Sequence, residues 1–370
     1  MRLVLRPRTD NDRQYRHPRI RSTKTGTRKD TAKVRRRLLD SGVQDSGSSP
    51  GEDCEPLPPL DEIIDAVDRF TRQSFQLGFI PKRQFIDRLR KSPQSVDLFL
   101  LLSILSVSAR LTPALIGRFG SGIAAAEFFM ERAATMAVGE IYQKPTLERC
   151  QAFYLLSISQ QGNGLGNKSH INMGIAMRLA TLLQLHREET YRIAQVNPEA
   201  VIRSESARRT LWLLYSQDSI HSGPFYPVSL AASDITALLP SDEADFAAGR
   251  LPGRRAALAD TLPAIKSPSL LNDPDRSLFA SFIQIHYFWG TVSRRAISYS
   301  RSSCPWDPGS HSAQMMDMLS NWEASLPIEH RWSAAMLQKH KSESQDLGYL
   351  SITMMTRLCN IVARRPYLAE

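Results

Sequence analysis

The sequence predicts an all-α, multi-helix domain behind a basic N-terminal tail, and three observations lead there. From Leu60 to Arg365, apolar residues recur at three- and four-residue spacing in one segment after another, the period of helices with a buried face. The chain has 370 residues, 42% of them hydrophobic, enough to bury a sizeable core. Positive charge is gathered at one end. Residues 1–40 carry 14 Lys and Arg against 4 Asp, a surplus of +10 that equals the net charge of the whole chain. Residues 41–370 are therefore balanced, and the high isoelectric point describes a tail rather than a basic globular surface.

Residues 1–59 are dominated by Arg, Lys, Asp, Ser, Gly and Pro, which predicts a disordered tail ending in a Ser/Gly/Pro linker over Ser46–Pro59. Within it, Lys33, Arg35, Arg36 and Arg37 form a patch suited to nuclear import or nonspecific phosphate contact, or simply a solvated charge run. A mitochondrial presequence is opposed by Asp10 and Asp12. Residues 60–370 are read as the folded domain.

Leu60, Ile63, Ile64, Val67 and Phe70 mark its first helix. Gly78-Phe-Ile-Pro81 reads as a loop, and Phe85 to Leu89 as a short helix. Val96–Leu111 is apolar on nearly every face, as expected of a fully buried helix. Ile123–Tyr142 and Pro145–Gln160 follow as amphipathic helices, the first through Ala126, Phe129, Ala133, Met136 and Ile141, the second through Cys150, Phe153, Tyr154 and Leu156. The run Gly162-Asn-Gly-Leu-Gly166 lacks a preceding strand and a GxGxxG spacing, so it reads as a helix–helix turn rather than a phosphate loop.

The next helix is placed over Ser169–Glu188 with Ser169 as N-cap and a stripe of Ile171, Gly174, Ile175, Arg178, Leu179, Leu182, Leu183 and His186. A second, capped by Ser204, carries Ala207, Leu211, Leu214 and Tyr215 and stops at Gly223-Pro224. Arg208 and Arg209 are expected to form ion pairs at a helix–helix rim, with Glu205 (four residues before Arg209) or Asp218, the alternative being an acidic partner. His186, at a helix end, would favour the dipole as an imidazolium. Residues 241–276, interrupted by four prolines, are expected to be a long, mobile loop. Leu278–Tyr299, Met315–Leu326 and Leu347–Arg365 complete the helices, the first with an aromatic stripe read as core, or else as the lining of a small-molecule pocket.

The ordered set Gly174, Ala176, Arg178, Leu179, Ala180, Leu185, His186, Arg187, then Glu205, Arg208, Arg209, Trp212 and Asp218, then Asp234, Leu239 and Pro240, resembles the regulatory (middle homology) domain of fungal transcription factors. A Leu-x-x-Trp322 followed by Ser-Leu-Pro327, and Arg364-Arg-Pro-Tyr-Leu368, extend the resemblance to about residues 60–368. Family members commonly carry further helices, which leaves the C-terminal completeness of the domain open. The resemblance implies a nuclear regulator of transcription whose helical domain responds to a small-molecule effector, the transcription machinery or a homo-oligomer partner. In the family, DNA is bound by a separate binuclear zinc cluster built on six closely spaced cysteines. Here the four cysteines (Cys54, Cys150, Cys304, Cys359) are far apart and residues 1–53 hold none. No cofactor is therefore expected in this chain, and zinc only with a cluster beyond it. Either the chain is a piece of a longer product or it is a member lacking that reader.

Two other classes compete with this reading. A helical interaction scaffold without DNA contact is compatible with the missing cysteines. A class I terpene synthase-like enzyme is suggested by Asp61-Glu62-x-x-Asp65, since carboxylates four apart share a helix face and bridge hard cations. The partner motif such an enzyme needs is absent, because Asn272-Asp273 is followed by Pro274 and the wrong spacing. No Ser/His/Asp, HExxH or P-loop grouping is visible, so no enzymatic activity is expected. A 34-residue self-similarity is likewise lacking, which disfavours a repeat solenoid. No run of about 18 uncharged apolar residues exists, so a membrane span is not expected either.

Overall fold

The computed structural model describes residues 56–222, 227–297 and 307–365. Among these, all regular structure is helical, as the spacing of the apolar residues predicts. The patch at Lys33–Arg37, the stop at Gly223-Pro224 and the segment Cys304–Trp306 lie outside the described residues.

The elements run α1 (Leu60–Gln73), α2 (Lys82–Lys91), α3 (Leu98–Ser108), α4 (Pro113–Phe119), α5 (Gly122–Glu140), α6 (Leu147–Gly162) and α7 (Gly166–Leu182). They continue with α8 (Pro198–Ser222), α9 (Glu243–Ala248), α10 (Leu262–Lys266), α11 (Leu278–Ile297), α12 (His311–Ala324), α13 (Ala334–Ser342) and α14 (Asp346–Arg364). Helix α3 is the hub of the first half. Its side chains are apolar all round because α1, α5 and α6 enclose it, and nine of its eleven residues are buried. Asp97 starts it, its carboxylate accepting from the Leu100 N–H at 2.8 Å. Each large side chain so enclosed contributes about 1.5–3 kcal/mol of apolar burial. No single helix among the described residues is long and apolar enough to cross a membrane.

Helices α6 and α7 form an antiparallel hairpin, and here the structure corrects the sequence reading. Gly164 takes a left-handed φ of +74°, and Leu165 N–H donates to the Gln160 carbonyl at 2.9 Å, so the reversal is complete by residue 165. Helix α7 then begins at Gly166 with no side-chain cap, and Ser169 is a buried residue inside it rather than its N-cap. The buried face is Ser169, Met173, Ala176, Met177, Leu179 and Ala180, of which Leu179 belongs to the expected stripe. Small residues at 176 and 180 let α7 lie close on α6, where the Cys150 thiol donates to the Ala176 carbonyl at 3.3 Å. Ile171 and Leu182, expected in the core, are 65% and 59% exposed. Helix α5 shows the same kind of shift: Ile141 is exposed, while Ala125 and Met130 join the core.

Helix α8 is longer than expected. Asn197 Oδ1 accepts from Ala200 N–H at 2.9 Å and starts it seven residues before Ser204, whose hydroxyl donates instead to the Tyr191 carbonyl. Enclosed by α6, α7, α9 and α11, it buries Leu211, Trp212, Leu213, Leu214 and Tyr215 on every side. Residues 241–276 are not a long loop. They form α9, α10 and a 3-10 turn at Pro268–Asn272, and they anchor Phe246, Ala256, Ala257 and Leu258 in the interior. Helix α11 packs on α14, and its Phe279, Phe282, Ile283 and Val292 are core.

Candidate functional site

The residues singled out on α8 converge on one extended strap, residues 235–242. Ile235, Ala237 and Leu239 are all fully buried, the two-residue period of a strand, yet no strand lies beside it among the described residues. Its backbone groups still require partners, since an unpaired buried N–H or C=O costs as much as a lost hydrogen bond. Side chains supply many of them, and that explains the spacing of the motif.

Helix α7 ends on Gln184 at φ +58°, with Leu185 N–H donating to Ala180 O and Gln184 N–H to Thr181 O, a Schellman-type cap. This drops Leu185 into the core and leaves the His186 carbonyl accepting from the Thr236 and Ala237 N–H groups at 2.9 and 3.1 Å. His186 thus works through its backbone. Burial, with Arg187 nearby, lowers its imidazole below the ordinary histidine value, so the expected imidazolium at a helix end is replaced by a neutral ring four residues past that end.

Glu188 accepts the next strap N–H, that of Leu238, at 2.8 Å, and receives Arg208 in a bidentate pair at 2.6 and 2.7 Å. The same Arg208 donates to the Leu238 carbonyl at 2.8 Å and lies 3.9 Å above the Tyr191 ring. One turn along, Trp212 Nε1 donates to that carbonyl at 2.8 Å. Glu205 accepts from Ser241 N–H at 2.7 Å and from Arg255 at 2.6 Å, and Arg255 also donates to the Leu239 carbonyl. Arg209 donates to the Ser241 and Asp242 carbonyls at 3.1 and 3.0 Å, to Gly78 O at 3.0 Å, and to Glu243 at 2.6 Å. Its guanidinium is sandwiched between the Phe246 and Phe279 rings. Ser277 donates to the Pro240 carbonyl. Leu238, Leu239 and Ser241 all donate their N–H groups. Between them stands Pro240, which has none to satisfy.

Three carboxylates (Glu188, Glu205, Glu243) therefore meet three guanidiniums (Arg208, Arg209, Arg255) in a balanced, largely buried clasp. Glu205, only 2% exposed, sits at its centre. Burial alone would raise its pKa, but Arg255, Arg209 and Arg208 outweigh that and hold it below the ordinary value. Burial likewise opposes the charge of Arg208, and the Glu188 pair more than offsets it. Asp218 does not pair with Arg208 or Arg209, the partners expected for it. It accepts from both the N–H and the hydroxyl of Ser229 and ties the end of α8 to the chain beyond.

Other residues of the motif also stand apart from the clasp, the exposed Arg187 and Asp234 among them. Gly174 and Arg178 are exposed on the outer face of α7, with nothing within 4 Å of where a Gly174 side chain would begin. Conversely, the sequence reading missed Glu188, Tyr191, Glu243 and Arg255. The available signal was electrostatic: two adjacent arginines on a helix with a buried face demand carboxylates, and Glu205 alone cannot serve both.

Chemically the clasp fastens rather than reacts, since its guanidiniums and carboxylates are engaged with one another and with backbone. Two buried serine–histidine contacts, Ser216 with His286 at 2.5 Å and Ser281 with His330 at 2.9 Å, tie α8 to α11 and α11 to the turn after α12. Burial pushes both histidines down to about 4. No group of three metal-ligating side chains exists among the described residues. Of the acidic residues of α1, Glu62 pairs with Arg118 at 2.6 Å and Asp65 with Arg69 at 2.9 Å.

Residues 70–249 match the model of the fungal specific transcription factor domain, a span holding every motif residue on the strap and α8. This part of the chain is a fungal-specific transcription factor domain. Similarity to curated proteins runs beyond the matched span. An uncharacterized transcriptional regulatory protein of Schizosaccharomyces pombe is 26% identical over 79% of this chain and 31% of its own length. A Zn(2)-C6 fungal-type transcription factor of Fusarium oxysporum f. sp. lycopersici is 24% identical over 84% of this chain and 34% of its own. A pigment biosynthesis transcriptional activator of Monascus ruber is 29% identical over 31% of this chain and 22% of its own. The chain thus spans about a third of the length of the first two. No solved structure matches it. Arg255 and Ser277, which complete the clasp of this transcription factor domain, lie just past the matched residues.

Proposed function

We propose that this chain acts in the nucleus as a regulator of transcription and carries out no chemical reaction of its own. The observation behind this reading is the match of residues 70–249 to a fungal-specific transcription factor domain, with similarity to named transcriptional regulators over about four-fifths of the chain. The clasp supports it, because its charges are spent on holding the fold. Four cysteines cannot supply the six thiolates of the family's zinc cluster, so DNA contact by such a module is not assigned to these 370 residues. The alternative reading is a helical interaction module that reaches promoters through a partner.

The test uses the 370-residue chain tagged with a fluorescent protein in a fungal cell, and separately tethered through a foreign DNA-binding module upstream of a reporter. Nuclear accumulation that weakens when Lys33, Arg35, Arg36 and Arg37 become Ala, together with a changed reporter output, is the expected result. Exclusion from the nucleus with an unchanged reporter would sink the proposal. Retention of promoter DNA by the purified chain alone would discard the partner reading.

A further inference from the structure

Two exposed corners of the domain share a sequence and a shape. Helix α2 runs into Lys91-Ser92-Pro93, and α10 into Lys266-Ser267-Pro268. Each serine is the C-cap of its helix, at φ −150° and −141°, and each proline opens a 3-10 turn. In that turn the N–H of Ser95 or Leu270 donates to the serine carbonyl. The proline accounts for the shape, since it disfavours helical backbone in the residue before it and brings no N–H of its own. Both serines and both prolines are exposed, and no described residue bonds either serine hydroxyl. Thr112-Pro113 is the contrast: Thr112 is fully buried and its hydroxyl donates to the Ser108 carbonyl at 3.0 Å.

The surroundings of the two corners differ. One turn before Ser92 stands Arg88, whose carbonyl accepts the Ser92 N–H at 2.9 Å. Its guanidinium is folded over the corner, donating to the Ser95 carbonyl at 3.3 Å and lying 5.9 Å from the centre of the Phe85 ring. Arg90 and Lys91 add two more cations in the last turn of α2. One turn before Ser267 the chain has Pro263 instead. Ser92 also lines a cavity of about 580 Å³ whose charged walls are Arg88, Lys91 and Arg203 against Asp87, Glu148 and Glu199.

We propose that Ser92 is a phosphorylation site for a proline-directed protein kinase, and that Arg88 holds the phosphoryl group once it is attached. A kinase needs a hydroxyl that is free and on an exposed turn, and one that selects proline after the serine reads the missing N–H and the fixed φ. In the transfer, Ser92 Oγ attacks the γ-phosphorus of ATP. The new Oγ–P bond replaces the bond to the β-phosphate oxygen, the hydroxyl proton passes to the base of the kinase, and ADP leaves. The product puts about two negative charges at the carboxyl end of α2. The helix dipole opposes them there, as do Asp87, Glu148 and Glu199. Arg88, one turn away with its guanidinium over the corner, supplies the charge-assisted hydrogen bonds that offset this. The inference goes beyond the transcriptional reading and does not depend on it.

The folded 370-residue chain is incubated with ATP and a cyclin-dependent kinase, and the phosphate is located by mass spectrometry. Phosphate on Ser92 and none on the buried Thr112 is the expected result. A chain left unmodified at Ser92, or modified as readily at Thr112, overturns the proposal. Phosphorus NMR of the modified chain then follows the second ionisation of the Ser92 phosphate. Its pKa is expected at about 5, against an ordinary value of about 6. The direction is diagnostic, because the helix end and the neighbouring carboxylates would raise the value and only the cations lower it. Arg88→Ala should return it to about 6 or above, whereas Arg88→Lys, which keeps the charge, should hold it below 6. A value of about 6 or more with Arg88 in place, or one that Arg88→Ala leaves unchanged, overturns the assignment of Arg88 as the group that holds the phosphate.

Discussion

Replacing Glu205 by Gln is the sharpest perturbation of the clasp. The amide keeps the size of the carboxylate and an oxygen for the Ser241 N–H, but it removes the negative charge that faces three guanidiniums. Leaving buried charges uncompensated in this way costs about 3–5 kcal/mol. Because one acceptor survives, the lower end applies, about 3 kcal/mol. Unfolding entropy of about 2.1 cal/mol/K per residue over roughly 310 folded residues converts that to a melting temperature about 5 °C lower. Glu243→Gln is the internal control. Its side chain is 44% exposed and it meets Arg209 alone, so a loss under about 1 kcal/mol, or 1–2 °C, is expected.

The assay is thermal unfolding by circular dichroism of both variants and the parent, repeated across pH. Since the folded-state pKa of Glu205 lies below its unfolded value, its contribution is present above the ordinary carboxylate range and lost as pH falls through the depressed value. The variant should therefore lose less stability than the parent in that acid window. Equal melting shifts for Glu205→Gln and Glu243→Gln, or an unshifted Glu205→Gln, would refute the claim that the buried carboxylate neutralises the arginines.

Other outcomes follow from the same structure. Trp212→Ala, at a fully buried side chain that also caps the strap, should cost about 3–5 kcal/mol, and an unchanged melting temperature would sink it. Gly249 holds φ +64°, and a Cβ there would sit 2.5 Å from the Pro198 carbonyl oxygen, so Gly249→Ala should destabilise by about 2–4 kcal/mol in a urea titration. His286 and His330 are held neutral down to about 4 by burial. With folded values below the unfolded ~6.5, their contribution is present above pH ~6.5 and lost as pH falls toward 4. His286→Gln should flatten that slope, and a melting temperature of the parent that stays constant from pH 7 to 4 would contradict it.

The helices were legible because apolar period is a local property, and α3 shows it best: a segment apolar on every face has nowhere to go but the interior. What failed was the choice of face where more than one was apolar. On α7 the sequence offers Ile171, Ile175, Leu179 and Leu182 on one side and Met173, Ala176, Met177 and Ala180 on another, and of the first set Leu179 is buried while Ile171 and Leu182 are exposed. Periodicity ranks the bulkier set higher, but the hairpin with α6 selects the smaller one because it permits closer approach. Residues 241–276 were misread for a related reason. Prolines and glycines mark breaks between elements, and they carry no information about whether the short pieces between them are anchored, as Phe246, Ala257 and Leu258 are.

The clasp itself was half visible. Glu205, Arg208, Arg209 and Trp212 lie within two turns of one helix, so their pattern survives in a linear reading. Glu188, Glu243 and Arg255 reach them from other parts of the chain, 20 to 50 residues away in sequence. Yet the strap explains why the distant parts of the motif occur in a fixed order. A buried extended segment in an all-helical domain has no sheet to satisfy it, so every polar backbone atom it carries has to be met by something specific. His186 supplies a carbonyl, Glu188 and Glu205 take N–H groups, Arg208, Arg209, Arg255 and Trp212 cap carbonyls, and Pro240 stands where no donor is required. Each of these residues is fixed by the backbone atom it serves. The part of the motif that meets the strap is therefore best read as the hydrogen-bond partners of one buried segment, with Gly174, Arg178 and Asp218 outside it.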